Sequence, residues 1–358
     1  MKKNANQTPL LRIKEIAKRA NVSVGTVDRV IHNRPGVSAN TKQKVDAIIN
    51  ELGYQPNLVA RRLASMKRIR IATLTPQVSG ETAYWEVLQD GILQAETEIA
   101  SYGVSVEKFF FDQNDKRSFD DQVDILLKSN IDGVLLTPIF IEESIRFADA
   151  CKKRDIPYVF INSDIPNVES LSYIGPNLYH SGYLVAHLIS YLVASQQAKI
   201  LIVNISKELE NYHYTLRKEE GFRAYFEENK KTVSILKADI RQTDYPSAKK
   251  QLSKLFGEHT DIKIVFATNS RVSTVAKYLE ATGKGDVLLI GYDFLPDNIK
   301  YLKKGIIDFL ICQKPQEQAY KGMLLLYQYL AFDTKVDKII FMPIDIITRE
   351  NDTFYRNW

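Results

Sequence analysis

Long apolar runs and cysteine are both scarce in this chain. The best apolar stretch, GMLLLYQYLAF, is well short of the ~18 residues that a membrane-spanning helix needs. Two cysteines in 358 residues, Cys151 and Cys312, imply no disulfide framework and suit a reducing cytoplasm. The amino terminus, MKKNANQTPLL, carries basic residues but no apolar segment, so a secretory leader is not expected. Catalytic signatures are missing as well. There is no G-x-S-x-G elbow, no P-loop and no G-x-G-x-x-G; the nearest approach, Gly283-Lys284-Gly285, reads as the turn between a helix and a strand. The five histidines, at 32, 180, 187, 213 and 259, lack metal-ligand spacing. No catalytic residue, metal or other cofactor is expected, and the function classes left are those that bind.

What the chain does have is a separation of charge. The net charge is +5, but residues 1–70 carry 15 Lys and Arg against 4 acidic residues, a net of +11. The remaining 288 residues carry 33 basic and 39 acidic groups, a net of −6. A small basic block on a mildly acidic body is the electrostatic pattern of a nucleic-acid-binding headpiece, and it is also compatible with a solvated basic surface.

The basic block reads as three helices. RIKEIAKRA (12–20) places Ile13, Ile16, Ala17 and Ala20 on one face. NVS (21–23) is a tight turn, and Ser23 suits an N-cap because its hydroxyl can accept from a free amide of the next helix. That helix, VGTVDRVIHN, turns Val27, Val30 and Ile31 inward and Thr26 and Arg29 outward, and stops at Asn33, Pro35 and Gly36. Ser38 caps a third helix, ANTKQKVDAIINEL, with Val45, Ile48, Ile49 and Leu52 buried and Gly53 at its end. Two short helices across a tight turn, braced by a third, describe a helix-turn-helix, although periodicity alone leaves a generic three-helix bundle open.

The run from Ile13 to Ala64 resembles the lac repressor family headpiece over its whole length. It carries the helix-one alanine (Ala17), "VS..TV.RV" (Val22 to Val30), "VS..T...V" (Val37 to Val45) and "LGY.PN..AR.L" (Leu52 to Leu63). The resemblance implies that the second helix lies in the major groove of double-stranded operator DNA, with Val24, Gly25 and Arg29 toward base edges. Ser23, Thr26 and His32 would hold phosphates, which sets register rather than sequence. Most relatives have serine where this chain has Asp28, a carboxylate able to accept from a cytosine or to orient Arg29. In relatives the segment matching PNLVARRLA (56–64) becomes a helix on the operator, two copies meeting in the minor groove. Leu63 would be the wedge that kinks the duplex, Ala60 the small contact between paired helices, and Arg61 a neighbour of phosphates. A homodimer is implied.

From Ile69 onward short β-rich runs alternate with amphipathic ones, the signature of βα units and parallel sheets. The strand candidates are 68–75, 104–110, 132–138, 157–162 and 172–175, then 199–205, 233–238, 263–268, 286–293 and 308–313. Two groups of five suggest two doubly wound parallel-sheet subdomains, an α/β core following an all-α headpiece. The layout resembles the periplasmic sugar-binding proteins of the ribose-binding type. That resemblance places the headpiece at 1–55 and the hinge helix at 56–67. It assigns 68–174 plus 315–332 to a first effector-binding subdomain, and 175–314 plus 333–358 to a second.

Its pocket, transferred by position, consists of Tyr84 and Trp85 as aromatic faces, Asn162, Arg217 or Lys218, Asn269, Asp293 and Gln313. Aromatic, amide, carboxylate and cationic groups together are what a polyhydroxylated ligand requires. The cations Lys218, Arg217 and Arg271 leave room for a phosphorylated or acidic sugar. The expectation is a cytoplasmic regulator, a repressor by type, with operator DNA and a sugar-type effector as partners. A transport-type sugar-binding protein is the competing reading, and an enzyme a distant third.

Overall fold

Two serine caps set the amino-terminal unit. In the computed structural model, which describes residues 9–31, 35–52, 54, 68–193, 199–207 and 213–356, this unit holds α1 (Pro9–Ala20), α2 (Val24–Ile31) and α3 (Ala39–Leu52). Ser23 Oγ accepts from the Thr26 amide at 3.0 Å, and Ser38 Oγ from the Thr41 amide at 3.2 Å. Each serine thereby satisfies an amide that its helix leaves unpaired. Between α1 and α2 the chain reverses through Asn21 at φ 54°, a left-handed conformation that asparagine tolerates. Ile16, Ala17, Ala20, Val27, Val30, Val45 and Tyr54 form the core, with Ile13, Ile48, Ile49 and Leu52 packed on its edge. Helix α1 begins three residues earlier than its apolar periodicity indicates, with Pro9 at a position where its missing N–H costs nothing. His32, Asn33, Gly53 and the hinge residues Ala60, Arg61 and Leu63 lie outside the described residues.

The second compact unit, Arg68–Trp358, opens with β1 (Ile69–Pro76), α4 (Tyr84–Ala100), β2 (Val104–Phe111), α5 (Lys116–Lys128), β3 (Gly133–Leu136), α6 (Ile141–Lys152), β4 (Tyr158–Ile161) and β5 (Ser172–Gly175). It continues with α7 (Leu178–Val193), β6 (Lys199–Ile205), α8 (His213–Glu228), β7 (Ser234–Ile240), α9 (Tyr245–Glu258), β8 (Ile262–Ala267), α10 (Val272–Ala281), β9 (Leu288–Tyr292), α11 (Pro296–Lys303) and β10 (Phe309–Cys312). Then come α12 (Pro315–Phe332), β11 (Ile339–Phe341) and β12 (Asp345–Ile347). Two six-stranded sheets result, ordered β11-β5-β4-β3-β1-β2 and β12-β10-β9-β8-β6-β7. All pairings are parallel except that of β12 with β10. The central strands are buried on both faces, as parallel sheets covered by helices must be. Helix α12 packs on α4 and on the first sheet. Among the described residues no helix is long and apolar enough to cross a membrane.

The last strands differ from the expectation that 333–358 belongs wholly to the second subdomain. Strand β11 pairs in parallel with β5, Ile339 opposite Tyr173 and Phe341 opposite Gly175, and so completes the first sheet. Only β12 joins the second. The run KIIFMPIDIIT reads as one strand candidate; Pro343 interrupts it, and the chain crosses between sheets there.

Helices α7 and α8 press together through two glycines. A Cβ added to Gly182 would fall 1.8 Å from the carbonyl oxygen of Lys218, and one added to Gly221 would fall 1.9 Å from that of Tyr179. Neither contact can be relieved by a side chain moving. Gly221→Ala is therefore expected to force the helices apart and cost about 1–3 kcal/mol or more of core stability, read from urea unfolding. An unchanged midpoint would contradict the packing described.

Candidate functional site

On α2 the outward face presents Val24, Gly25 and Arg29, all exposed, opposite the buried Val27 and Val30. Ser23 and Thr26 sit at the helix start, their hydroxyls 2.9 Å apart. Asp28 is half-buried, and its charge acts on the Tyr54 hydroxyl: burial raises that phenol's pKa first, and Asp28 adds to the rise. The expected DNA-facing side chains that are described thus share one end or one face of a single helix.

In the core unit the strand order reverses beside β1 and beside β6, and the loops leaving the carboxyl ends of both sheets meet in one cleft. Open parallel sheets place ligand sites there. The cleft holds a cavity lined by Tyr84, Trp85, Asn162, Lys218, Asn269, Asp293 and Gln313, and also by Thr82, Gln113, Tyr214, Ser270 and Arg271. Seven of the eight expected residues converge.

Arg217 is the exception. It lies on the outer side of α8, bonded to Glu220 and 5.4 Å from the Tyr179 ring centroid. Consecutive helical residues point about 100° apart, so only one of the pair 217–218 faces the cleft, and Lys218 does.

Two wall residues are set by backbone that few side chains adopt. Asn162 (φ 70°) ends β4 and Asp293 (φ 73°) ends β9, the third strand in the order of each sheet. Asparagine and aspartate are the non-glycine types most at ease in this region. The first subdomain contributes Tyr84, whose hydroxyl donates to Asn162 Oδ1 at 2.7 Å, and Trp85, whose Nε1 donates to Gln113 Oε1 at 2.8 Å. The two rings meet edge to face at 4.9 Å. Gln318 of α12 accepts from the Asn162 amide at 2.9 Å and donates to the Gln313 carbonyl at 2.6 Å, so it joins the β4 and β10 loops. Asn298 does the same for the second subdomain, donating to the carbonyls of Ser270, Tyr292 and Asp293.

The electrostatics are those of buried groups. Lys218 is 3% exposed; its Nζ reaches the Thr268 carbonyl at 3.4 Å and sits 3.5 Å from the Tyr292 ring centroid. Burial pulls its pKa down, and the charge of Asp293 opposes that pull. Burial pushes Asp293 up, opposed by Lys218 and by the Gln313 amide 3.2 Å away. Burial also lifts Tyr84 well above the usual phenol range and Tyr214 to about 12, so both hydroxyls stay protonated. Arg271 donates from Nη1 to the Ile205 carbonyl at 2.7 Å and from Nη2 to Glu81. Thr82 and Ser270 join their hydroxyls across the cleft at 3.0 Å.

Gln113, Tyr214 and Thr82 were not among the expected residues. Gln113 had a signal, since it follows β2 at the carboxyl end of the sheet. Tyr214 and Thr82 have no local pattern that marks them. Among the described residues no cluster of His, Cys, Asp and Glu is arranged to hold a metal ion.

Comparison with known proteins agrees with both halves. Residues 12–57 match the bacterial regulatory proteins of the lacI family, and residues 71–334 match the periplasmic binding protein domain. Catabolite control protein A of Streptococcus mutans is 30% identical over 141 residues, spanning 39% of this chain and 40% of that protein's length. The ribose operon repressor of Halalkalibacterium halodurans is 27% identical over 293 residues, 79% of this chain and 80% of the relative. Among solved structures, a chain from Bacteroides fragilis assigned to the LacI transcriptional regulators superposes with a TM-score of 0.76 at 30% identity, covering 81% of this chain and 100% of that one.

The Lys218–Asp293 pair makes a pH-dependent prediction. An aspartate with a raised pKa stabilises the folded state at low pH and loses that contribution as pH rises through the raised value. A lysine with a lowered pKa does the reverse in the alkaline range, where the unfolded chain holds more protons. In Lys218→Met the counter-charge of Asp293 is gone, so its pKa rises further. Melting temperatures should fall more between pH 5 and pH 8 than in the wild type, and the alkaline recovery due to Lys218 should vanish. Parallel pH profiles for the two proteins would show that the pair is not coupled.

Proposed function

The chain belongs to the lacI family of bacterial regulatory proteins and carries a periplasmic-binding-protein core, and on that premise we propose that it is a transcriptional repressor whose affinity for operator DNA is set by a sugar or sugar derivative held in the cleft. The observation that carries this reading is the convergence of Tyr84, Trp85, Asn162, Lys218, Asn269, Asp293 and Gln313, drawn from both subdomains, on one cavity. Aromatic faces pack on the C–H face of a sugar ring, and amides, a carboxylate and an ammonium serve hydroxyls that both donate and accept. A ligand held from both sides favours the closed cleft by its differential affinity for that state. The relative named a ribose operon repressor is consistent with this effector class.

On the DNA side, Arg29 is the candidate for direct base reading, while Ser23 and Thr26 serve phosphates. Val24 offers an apolar contact to a thymine methyl, Gly25 lets the backbone approach, and Asp28 fixes the surroundings of α2. His32 would add a phosphate contact, and Ala60, Arg61 and Leu63 would act as the paired hinge in the minor groove. The protein would work as a cytoplasmic homodimer on a near-palindromic site, which lets two recognition helices reach successive major grooves. A transport-type binding protein would share the core, but the headpiece favours the regulator. Family relatives that regulate favour binding over catalysis.

Three measurements check the reading. Arg29→Ala should relax discrimination at one base pair per half-site by about 1–3 kcal/mol, seen as equalised affinities for operator variants in fluorescence anisotropy. Leu63→Ala should keep the melting profile but lower both operator affinity and bend angle; an unaltered bend would make Leu63 a plain linker residue. Asp293→Ala should bind operator normally yet lose its response to effector, and a normal response would place the effector elsewhere.

A further inference from the structure

The fixed charges around the cleft come in two opposed pairs, and from this we infer that the effector is an uncharged monosaccharide, with phosphorylated and acidic sugars rejected. The inference deepens the sugar-effector reading above and rests on it. Three charged side chains line the cavity among the described residues, Lys218, Arg271 and Asp293. Lys218 and Asp293 are opposite charges on the wall of the same cavity, each moderating what burial does to the other.

Arg271 is neutralised from across the cleft. Glu81, in the loop after β1, accepts from Arg271 Nη2, from Asn114 Nδ2 and Gln113 Nε2 at 3.2 Å, and from Thr243 Oγ1 at 3.3 Å. Burial alone would raise the Glu81 pKa, but Arg271, Asn114 and Lys207 outweigh it and hold the carboxylate ionised. Lys207 approaches to 3.5 Å as well, from a half-exposed position where water weakens its share of the interaction.

The hydrogen-bonding geometry of Arg271 points the same way. Anionic groups are gripped best by two parallel N–H donors of a guanidinium. Here the Nη1 and Nη2 edge is already engaged, by the Ile205 carbonyl and by Glu81. What remains is Nε, buried and without a partner. A single N–H serves one acceptor oxygen, so the two-point grip that favours a phosphate or carboxylate over a hydroxyl is not available from Arg271. Lys218, Asp293, Arg271 and the partly buried Glu81 together carry no net charge, so a charged ligand finds little to offset its desolvation. Glu81 is therefore a specificity determinant: it offsets Arg271, one of the two cations that line the cavity.

Isothermal titration calorimetry on the full chain tests this with matched sugars. The panel is the common aldopentoses and aldohexoses, each beside its 5- or 6-phosphate and, for hexoses, its uronate. At least one neutral sugar should bind, with its charged counterparts weaker by about 100-fold or undetectable. In Glu81→Gln, Arg271 keeps an acceptor but loses its counter-charge, and the gap should narrow by about tenfold or more. Circular dichroism establishes that this variant is folded. A charged sugar that binds the wild type as tightly as its neutral partner overturns the inference and leaves the sugar reading standing. Unchanged selectivity in folded Glu81→Gln overturns it too. Heat from no sugar, neutral or charged, overturns the sugar reading itself.

Discussion

A lysine ammonium with almost no surface in water must have compensating charge nearby, and in this protein that charge is Asp293. The pair constrains much of what surrounds it. Lys218 is delivered to the cleft by α8, which lies where it does because Gly182 and Gly221 let two helices touch backbone to backbone. Asp293 is delivered by a left-handed residue at the end of β9, a conformation that aspartate accepts and β-branched residues resist. Gln313 bonds the carboxylate, and Gln318 and Asn298 fix the loops on either side. Remove either charge and the other is left buried without compensation, which costs more than the pair contributes.

A second constraint acts across the cleft. Glu81 and Thr82 belong to the first subdomain, and Arg271, Thr243 and Ser270 to the second. Their contacts link the two subdomains across the cleft. On the proposed reading, a ligand in the cavity would add to an arrangement that these contacts already favour.

How much of this the sequence disclosed follows from how local each signal is. The serine caps, the helix faces and the alternation of strand and helix are written in neighbouring residues, and the headpiece helices and ten core strands are where those residues indicate. Tyr84, Trp85, Asn162 and Asp293 were legible through motif position. The choice between Arg217 and Lys218 was not, because it depends on which face α8 turns to the sheet. Nor was the sheet joined by Ile339–Phe341, since three residues with apolar side chains fit either edge. Glu81, Gln113 and Tyr214 come from loops or a helix start whose relevance appears only once two sheets face each other. Arg271 illustrates the gap best: by sequence it is a spare cation suggesting an acidic ligand, and in the fold it is already neutralised by a residue 190 positions away.

The central claim is that the cleft and the operator share one free energy, and linkage makes it directly measurable. Operator affinity should be determined by anisotropy with and without saturating neutral sugar, and sugar affinity by calorimetry with and without saturating operator, at one salt concentration. Coupling of about 1–3 kcal/mol predicts a change of roughly 5- to 150-fold, the same factor in both directions. Superposable operator isotherms with and without bound sugar would contradict the account.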